Sequence, residues 1–200
     1  DLGAHVIDIA RYLVGEFSRV IGINKTFVKE RPIVEKMTGL SAKAGELTKK
    51  GEVTVDDATL FLAEFENGAL GSIEATRFAN GHKNAMSFEI NGSRGSIKFE
   101  FERMNELQYF SADDQPGTQG FRLIQATEGI HPYMKAWWPA GHVIGYEHTF
   151  VHEMYEFVEA IAKDKEAVPS FIDGMKCSQV LEAVDLSIAE ARWVKISDLF

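Results

Sequence analysis

The amino-acid sequence predicts an α+β domain with a large, mostly antiparallel, open-faced sheet and helices packed on its other face. Strand-like segments fill the middle of the chain and are joined mostly by short turns, which connect antiparallel strands. Segments of helical periodicity stand at both ends, without the regular alternation of strands and helices that parallel folds require. The uncovered face of such a sheet is left to solvent or to a partner subunit.

Helical periodicity defines the first and the last predicted elements. Apolar residues at positions 2, 6, 9, 10 and 13 predict a helix over residues 1–14, and Gly15 follows where a helix C-terminus favours glycine. Two further helices are predicted over residues 148–162, on an apolar stripe, and after Asp173, a residue suited to the N-cap.

The strand signal is strongest from residue 58 onward. Residues 59–65 and 69–76 flank Asn67-Gly68, a dipeptide suited to a tight hairpin turn because both positions tolerate positive φ. Further strands are predicted at 20–28, 87–90, 96–101, 107–110 and 121–126. The mixed composition of residues 29–51 and 128–146 predicts an excursion and a long irregular segment.

Charge and composition exclude several classes of partner. The 200-residue chain carries 21 Lys and Arg against 30 Asp and Glu, a formal net charge of −9, which opposes binding to nucleic acid or an anionic membrane surface. The sequence has no apolar run long enough to span a bilayer. Its single cysteine, Cys177, excludes an internal disulfide and fits a reducing compartment, so we expect a cytoplasmic protein.

The first candidate site is Asp1-x-x-x-His5, with Asp8 three positions further on. Residues four apart share a helix face, so the Asp1 carboxylate and the His5 imidazole can converge on one point. A carboxylate orients an imidazole and raises its basicity, as general acid–base catalysis requires. The structural alternative is that Asp1 caps the helix and His5 is a satisfied, partly buried histidine.

A second candidate is a metal site at His148-x-x-x-His152, which has the spacing of ligands on one helix face. Thr149 stands where the zinc-hydrolase motif requires glutamate, and no nearby cluster completes a ligand set. We therefore expect no metal and keep a metal-dependent hydrolase as an alternative, with a capping or solvated helix start as the structural explanation.

Other segments are rich in hydrogen-bond donors or aromatic rings. Arg77 and Lys83 can bind hydroxyls or a phosphate, or pair with surface acids. Trp137 and Trp138 can stack on a sugar, or belong to a core or an interface. Cys177 has no activating histidine near it in the sequence, so we expect a structural role. The chain lacks a G-x-G-x-x-G motif, a P-loop and a G-x-S-x-G elbow, so nothing in it cradles a dinucleotide pyrophosphate.

Five segments, in the right order, resemble the Gfo/Idh/MocA family of oxidoreductases. Residues 1–15, DLGAHVIDIARYLVG, resemble the family's D-x-G-x-H-x-x-D…L-x-G signature. The other segments, which resemble the family's C-terminal domain, are residues 57–69, 90–97, 169–174 and 179–194. The resemblance therefore covers nearly the whole chain.

The resemblance implies the substrate-binding and catalytic half of an NAD- or NADP-dependent dehydrogenase that acts on a sugar or cyclic polyol. By position, His5 is the acid or base at the carbinol, and Asp1 positions the substrate hydroxyl and tunes His5. His142 lies in a segment that resembles only a subset of the family, and it is implied to contact a substrate hydroxyl, ahead of Arg77 and Lys83.

One catalytic group of the family is missing from this sequence. The family places a lysine in a Glu-Lys-Pro motif of its Rossmann domain, whereas Glu35-Lys36-Met37 comes closest here and lies in the wrong domain. The chain also begins inside a predicted helix and without Met. We therefore expect residues 1–200 to be one C-terminal domain for substrate binding and oligomerisation, without its N-terminal dinucleotide-binding domain and inactive alone.

The expected partners are a small sugar or polyol and further copies of the chain, as a homodimer or homotetramer through the open sheet face. The alternative is a non-catalytic module in which the sheet mediates self-assembly and Asp1 and His5 have no chemical role. An Asp1 that simply caps the helix, with His5 buried in apolar packing, would favour the module. Side chains directed into a shared cleft would favour the enzyme.

Overall fold

The computed structural model describes residues 1–33 and 49–199 and has the predicted α+β class. The helices are α1 (Leu2–Leu13), α2 (Tyr146–Ala162) and α3 (Phe171–Glu190). The strands are β1 (Phe17–Lys25), β2 (Glu30–Pro32), β3 (Lys50–Glu52), β4 (Ala58–Phe65), β5 (Leu70–Thr76), β6 (Ser87–Gly92), β7 (Gly95–Glu100), β8 (Glu106–Ser111), β9 (Arg122–Gln125) and β10 (Val194–Lys195). All pairings among these strands are antiparallel, as predicted.

The chain forms two compact units, one from Asp1–Asn80 with Phe171–Phe200 and the other from Gly81–Ser170. The first unit contains a sheet in the order β10-β1-β4-β5. Its β4–β5 hairpin turns at Asn67-Gly68, as predicted: Gly68 has a φ of 87°, and the Asn67 side chain accepts a hydrogen bond from the Ala69 amide at 3.0 Å.

Helices α1 and α3 cover one face of the first unit's sheet. Along β4, Phe61, Ala63 and Phe65 are buried, whereas Leu60 and Leu62 are exposed, because successive side chains point to opposite faces. The rest of the buried apolar core consists of Ile7, Phe17, Val20, Ile73, Cys177, Val180, Ala183, Val184 and Val194. In this unit the prediction of an open sheet with helices on one face is confirmed.

The second unit contains a four-stranded meander in the order β6-β7-β8-β9. Neighbouring strands approach closely at Gly95, where an added Cβ would lie 2.4 Å from the carbonyl oxygen of Phe110, so only glycine fits. Helix α2 belongs to this unit, and none of its residues is buried.

The strands do not form one large sheet in the described ranges 1–33 and 49–199. Their hydrogen-bonded ladders form a four-stranded sheet, a two-stranded ribbon of β2 with β3, and a second four-stranded sheet. The segment 77–86, which contains the turn-favouring residues Asn80, Gly81 and Asn84, separates β5 from β6. Strands as short as β2, β3 and β10 show no alternation that periodicity can detect, and they were not predicted.

The predicted helices agree closely with the observed ones, with one correction at a helix start. Helix α3 begins at Phe171, so Asp173 lies in its first turn rather than at the N-cap. Gly15 follows α1 with a φ of 129°, which L side chains rarely adopt. The segment Glu35-Lys36-Met37 lies outside the described residues. Among the described helices, none has the length and apolarity needed to cross a membrane.

Candidate active site

Asp1 stands immediately before α1, and its side chain makes no capping hydrogen bond to the helix. Its Oδ2 atom instead lies 3.6 Å from Nη1 of Arg77, and both side chains are largely exposed. Asp1 therefore occupies the N-cap position of α1 without the side-chain hydrogen bond that a capping residue ordinarily makes. The contact also brings together two residues that the sequence singled out separately.

His5 lies one helical turn beyond Asp1, on the same side of α1, and is exposed. The side chain that faces inward from this part of the helix is Ile7, which is fully buried. The second condition that would favour a binding module, His5 buried in apolar packing, is not met. An exposed imidazole and carboxylate at one helix end are accessible to a small molecule.

Arg77 follows β5 directly, and a buried aspartate fixes its backbone. The Arg77 amide donates a hydrogen bond to the carbonyl oxygen of Asp57 at 2.8 Å. The Asp57 carboxylate, in turn, accepts hydrogen bonds from the amides of Phe27 and Val28 (2.7 and 2.8 Å) and from Nη2 of Arg31 at 3.1 Å. These bonds, led by the one from Val28, lower the pKa of Asp57. Asp57 thus ties the start of β4 to the end of β1 and to Arg77.

The other end of α1 is anchored by a buried arginine. Arg11 has a side chain only 6% exposed, and it donates two hydrogen bonds to the carboxylate of Glu16, at 3.0 and 2.9 Å. It also donates to the carbonyl oxygen of Asp173 at 3.2 Å, and Lys176 donates to Glu16 at 2.8 Å. The Arg11 bonds outweigh burial and lower the pKa of Glu16 to about 2. The orientation of α1, and with it Asp1 and His5, is therefore fixed against α3.

Cys177 joins the same cluster and is structural, as the sequence predicted. It is buried, with its Sγ atom 3.7 Å from Nη1 of Arg11. Burial raises the pKa of its thiol, because the charged form is disfavoured away from water.

Lys83 lies in the second unit, on a loop organised by Glu102. The Glu102 carboxylate accepts hydrogen bonds from the amides of Lys83 and Asn84 at 2.5 and 2.9 Å, and its other oxygen lies 3.2 Å from Nδ1 of His82. The two backbone bonds, followed by the His82 contact, lower the pKa of Glu102 to about 2. Glu102 therefore fixes the backbone that presents the Lys83 side chain.

His82 and Glu102 also form, with Glu100, a group whose ligand atoms all lie within 4.8 Å of one another. This spacing could accommodate a cation. However, one Glu102 oxygen already accepts two backbone bonds and the other faces His82, so these contacts account for the cluster without a metal.

His142 is held in one orientation by the backbone. Its Nδ1 atom lies 2.8 Å from the carbonyl oxygen of Pro139, and because a carbonyl only accepts, Nδ1 is the donor. The neutral ring then keeps Nε2 as an acceptor, on an exposed side chain. The Trp138 ring lies 6.2 Å from the His142 ring and is mostly exposed.

His148 and His152 each use one ring nitrogen in a structural hydrogen bond. Nδ1 of His148 accepts a hydrogen bond from the amide of Gly145 at 3.1 Å, and Nε2 of His152 accepts one from the Trp137 indole at 2.8 Å. Burial, with a smaller contribution from His148, lowers the pKa of His152. The alternative of a metal-dependent hydrolase built on these histidines finds no support in this geometry. Trp137 serves as an anchor for α2, whereas Trp138 remains exposed.

The sequence-predicted site residues fall into two groups, one in each unit. Asp1, His5 and Arg77 belong to the first unit, and Lys83 and His142 belong to the second. The sequence did not predict that Arg11 fixes α1, that Asp57 fixes the backbone of Arg77, or that Glu102 fixes the backbone of Lys83. Asp57 had a sequence signal, an acidic residue directly before a strand, but its partners come from a distant segment.

The chain is similar to proteins of known class. Residues 1–98 match the family model described as GFO/IDH/MocA C-terminal domain. Levoglucosan dehydrogenase from Pseudarthrobacter phenanthrenivorans is 42% identical over 201 residues, which is 100% of this chain and 51% of that protein.

Solved structures share the same fold. An oxidoreductase domain protein from Kribbella flavida is 48% identical with a TM-score of 0.88, over 98% of this chain and 49% of that one. Levoglucosan dehydrogenase in complex with NADH and levoglucosan is 42% identical with a TM-score of 0.87, over the same shares of the two chains. The chain thus spans about half the length of the relatives it matches.

The fold and the sequence comparisons agree: the chain is similar to the C-terminal domain of Gfo/Idh/MocA oxidoreductases. The sequence motifs predicted this similarity to the Gfo/Idh/MocA family.

Proposed function

We propose that this chain is the C-terminal, substrate-binding half of an NAD- or NADP-dependent dehydrogenase that oxidises a carbinol of a sugar or cyclic polyol. The observation that carries the proposal is the position of the Asp1 carboxylate. It makes no capping hydrogen bond to α1, lies beside Arg77, and stands one helical turn from the exposed His5. A carboxylate at an N-cap position would ordinarily bond to the helix. The 42% identity to levoglucosan dehydrogenase supports a sugar as the substrate.

In the proposed reaction, the carbinol loses a hydride from carbon and a proton from oxygen. His5 accepts the hydroxyl proton as general base and returns it in the reverse direction. Asp1 orients the hydroxyl and stabilises the charged imidazole, while Arg77 holds the Asp1 carboxylate in place. In the second unit, Lys83 and His142 are proposed to bind sugar hydroxyls, with the His142 Nε2 atom as an acceptor.

The cofactor does not fit this chain's own residues. A dinucleotide pyrophosphate requires a Gly-rich turn at a helix N-terminus, and the sequence has no G-x-G-x-x-G motif. We therefore propose a separate dinucleotide-binding half, which precedes this domain in the full-length protein. The nicotinamide bound there would take up the hydride.

The test is an assay of the full-length protein that contains this chain, with NAD⁺ and NADP⁺ and a panel of levoglucosan, aldoses and cyclic polyols. We expect reduced cofactor to form with at least one of them. His5→Ala should lower kcat by about 10²–10⁴-fold, the usual contribution of a general base, with a smaller effect on KM.

Tyr12→Ala is the matched control, because Tyr12 is 87% exposed on the same helix and lies away from the N-terminal turn. It should retain the activity of the unsubstituted protein. Full activity of His5→Ala would contradict the role of His5. No turnover with any member of the panel would contradict the substrate class.

We also propose that the chain self-associates through the open face of the first unit's sheet. Ile23, Leu60 and Leu62 are exposed there, and Ile23 pairs with Leu60 across β1 and β4. Apolar residues grouped on an uncovered sheet favour contact with a second copy. A cytoplasmic location, which the buried Cys177 fits, remains our expectation.

Sedimentation measurements on the 200-residue chain test this interface. The unsubstituted chain should have the mass of a dimer or tetramer, and Leu62→Glu should reduce it to that of one chain, because a charge cannot be buried there unpaired. Tyr12→Glu, on the opposite side of the sheet, should leave the mass unchanged. A single-chain mass before substitution would rule out the interface.

A further inference from the structure

The apolar face of α2 points away from the unit to which α2 belongs. This face consists of Phe150, Val151, Met154, Phe157, Val158 and Ile161. Each of the six is between 49% and 65% exposed. At about 100° per residue they lie within an arc of about 120°, and they extend about 17 Å along the helix axis. A helix with such a face ordinarily turns it inward.

The opposite side of α2 makes the contacts with the second unit. The Trp137 indole donates to His152 at 2.8 Å and meets the His148 ring edge-on at 4.6 Å. Tyr133 stacks on His152 at 4.3 Å, and its hydroxyl donates to Glu156 at 2.9 Å. These contacts fix the rotation of the helix about its axis. The outward position of the apolar face is therefore a property of the folded unit.

We propose that the apolar face of α2 is the docking surface for the dinucleotide-binding half of the full-length protein, an inference that rests on the proposed function. Contiguous apolar patches of this kind rarely stay exposed on a finished protein. The chain spans only about half the length of its relatives, so the other half of such a protein is available to cover the face. Hydride transfer also requires the two halves to be held in a fixed relation, which a permanent apolar contact provides.

The charge of α2 argues against a second copy of this chain as the occupant. The helix carries Glu147, Glu153, Glu156 and Glu159, and it has no Lys or Arg. Two copies packed through α2 would bring these like charges together, on chains that each have a net charge of −9. The surface that covers α2 should therefore be an apolar groove with Lys or Arg at its rim.

Maleimide labelling of the full-length protein tests the proposal with a matched pair of cysteine variants. Met154→Cys lies at the centre of the apolar face, and Glu156→Cys lies on the opposite side of the same turn. The unsubstituted full-length protein is the blank, and its reaction rate measures the buried Cys177 together with any cysteine of the other half. We expect Met154→Cys to react at least about tenfold more slowly than Glu156→Cys at every protein concentration. Val158→Cys serves as a second probe of the face if Met154→Cys does not fold.

Three results would overturn the proposal. Equal labelling rates at the two positions would mean that nothing covers the face. Protection that disappears on dilution would identify a second copy as the occupant. Equal protection of Met154→Cys in the 200-residue chain alone would place the cover within this chain. Labelling does not depend on turnover, so a protein that is protected but inactive on every sugar would contradict the proposed function and leave the docking surface intact.

Discussion

The two units of the chain place their helices in opposite ways. In the first unit, α3 buries Val180, Ala183 and Val184 against the sheet, in a core shared with α1. In the second unit, α2 turns histidines and Glu156 toward its own unit and leaves its apolar face outside. The first unit therefore has a core of its own, whereas the second leaves an apolar helix face exposed, which we propose is covered by the other half of the full-length protein.

The largest expected effect distinguishes a buried phenylalanine of the first unit from an exposed phenylalanine of α2. In the 200-residue chain, Phe61→Ala should lower the free energy of unfolding by about 3–5 kcal/mol, because it leaves a cavity in the core. Phe157→Ala should change it by less than about 0.5 kcal/mol, because its ring is already half exposed. Urea unfolding followed by circular dichroism measures both.

Phe61→Ala and Phe157→Ala should also be compared in the full-length protein, again by the free energy of unfolding. There Phe157→Ala should become clearly destabilising, because the ring is covered by the other half. A large loss of stability from Phe157→Ala in the 200-residue chain alone would contradict the description of α2 as a helix whose apolar face lacks a partner.

A smaller effect distinguishes two acidic groups, Glu16 in the first unit and Glu102 in the second, whose pKa values are both lowered to about 2. A carboxylate with a lowered pKa stabilises the folded state above its usual pKa, near 4.5, and that stabilisation is lost as the pH falls toward 2. Glu16→Gln should remove part of this acid sensitivity from the unfolding of the first unit.

Glu102→Gln should act locally, because Glu102 holds the backbone of Lys83 and Asn84 rather than a core. Hydrogen exchange of those two amides should accelerate, while the stability of the first unit against acid stays as before. An equal change of overall acid stability in both variants would contradict this difference between the units.

Much of the fold follows from local sequence signals. The Asn67-Gly68 hairpin and the limits of α1 depend on neighbouring residues, and both were predicted. The division into separate sheets depends on where β5 and β6 fail to pair, and strand alternation contains no such information. The prediction of a large sheet therefore did not include its division into separate hydrogen-bonded sheets. The apolar stripe of α2 was equally visible in the sequence, but the direction in which it faces is a tertiary property.

The candidate site divides in the same way. The Asp1-x-x-x-His5 spacing identifies a shared helix side, which is local geometry. Asp1 and Arg77 are separated in the sequence by three strands of the first unit's sheet, β1, β4 and β5. No local motif therefore predicts that their side chains lie close together. Asp57 and Glu102 act by accepting backbone amide hydrogens, and any residue type supplies an amide, so their partners leave no pattern in the sequence.

The most direct test of the central claim is chemical rescue of His5→Ala in the full-length protein. His5 is exposed, so imidazole added to the solution can reach the position of the missing ring. We predict that kcat falls on substitution and rises again with imidazole concentration, while Tyr12→Ala shows neither change. Full activity of His5→Ala without imidazole would contradict the claim that His5 transfers the proton.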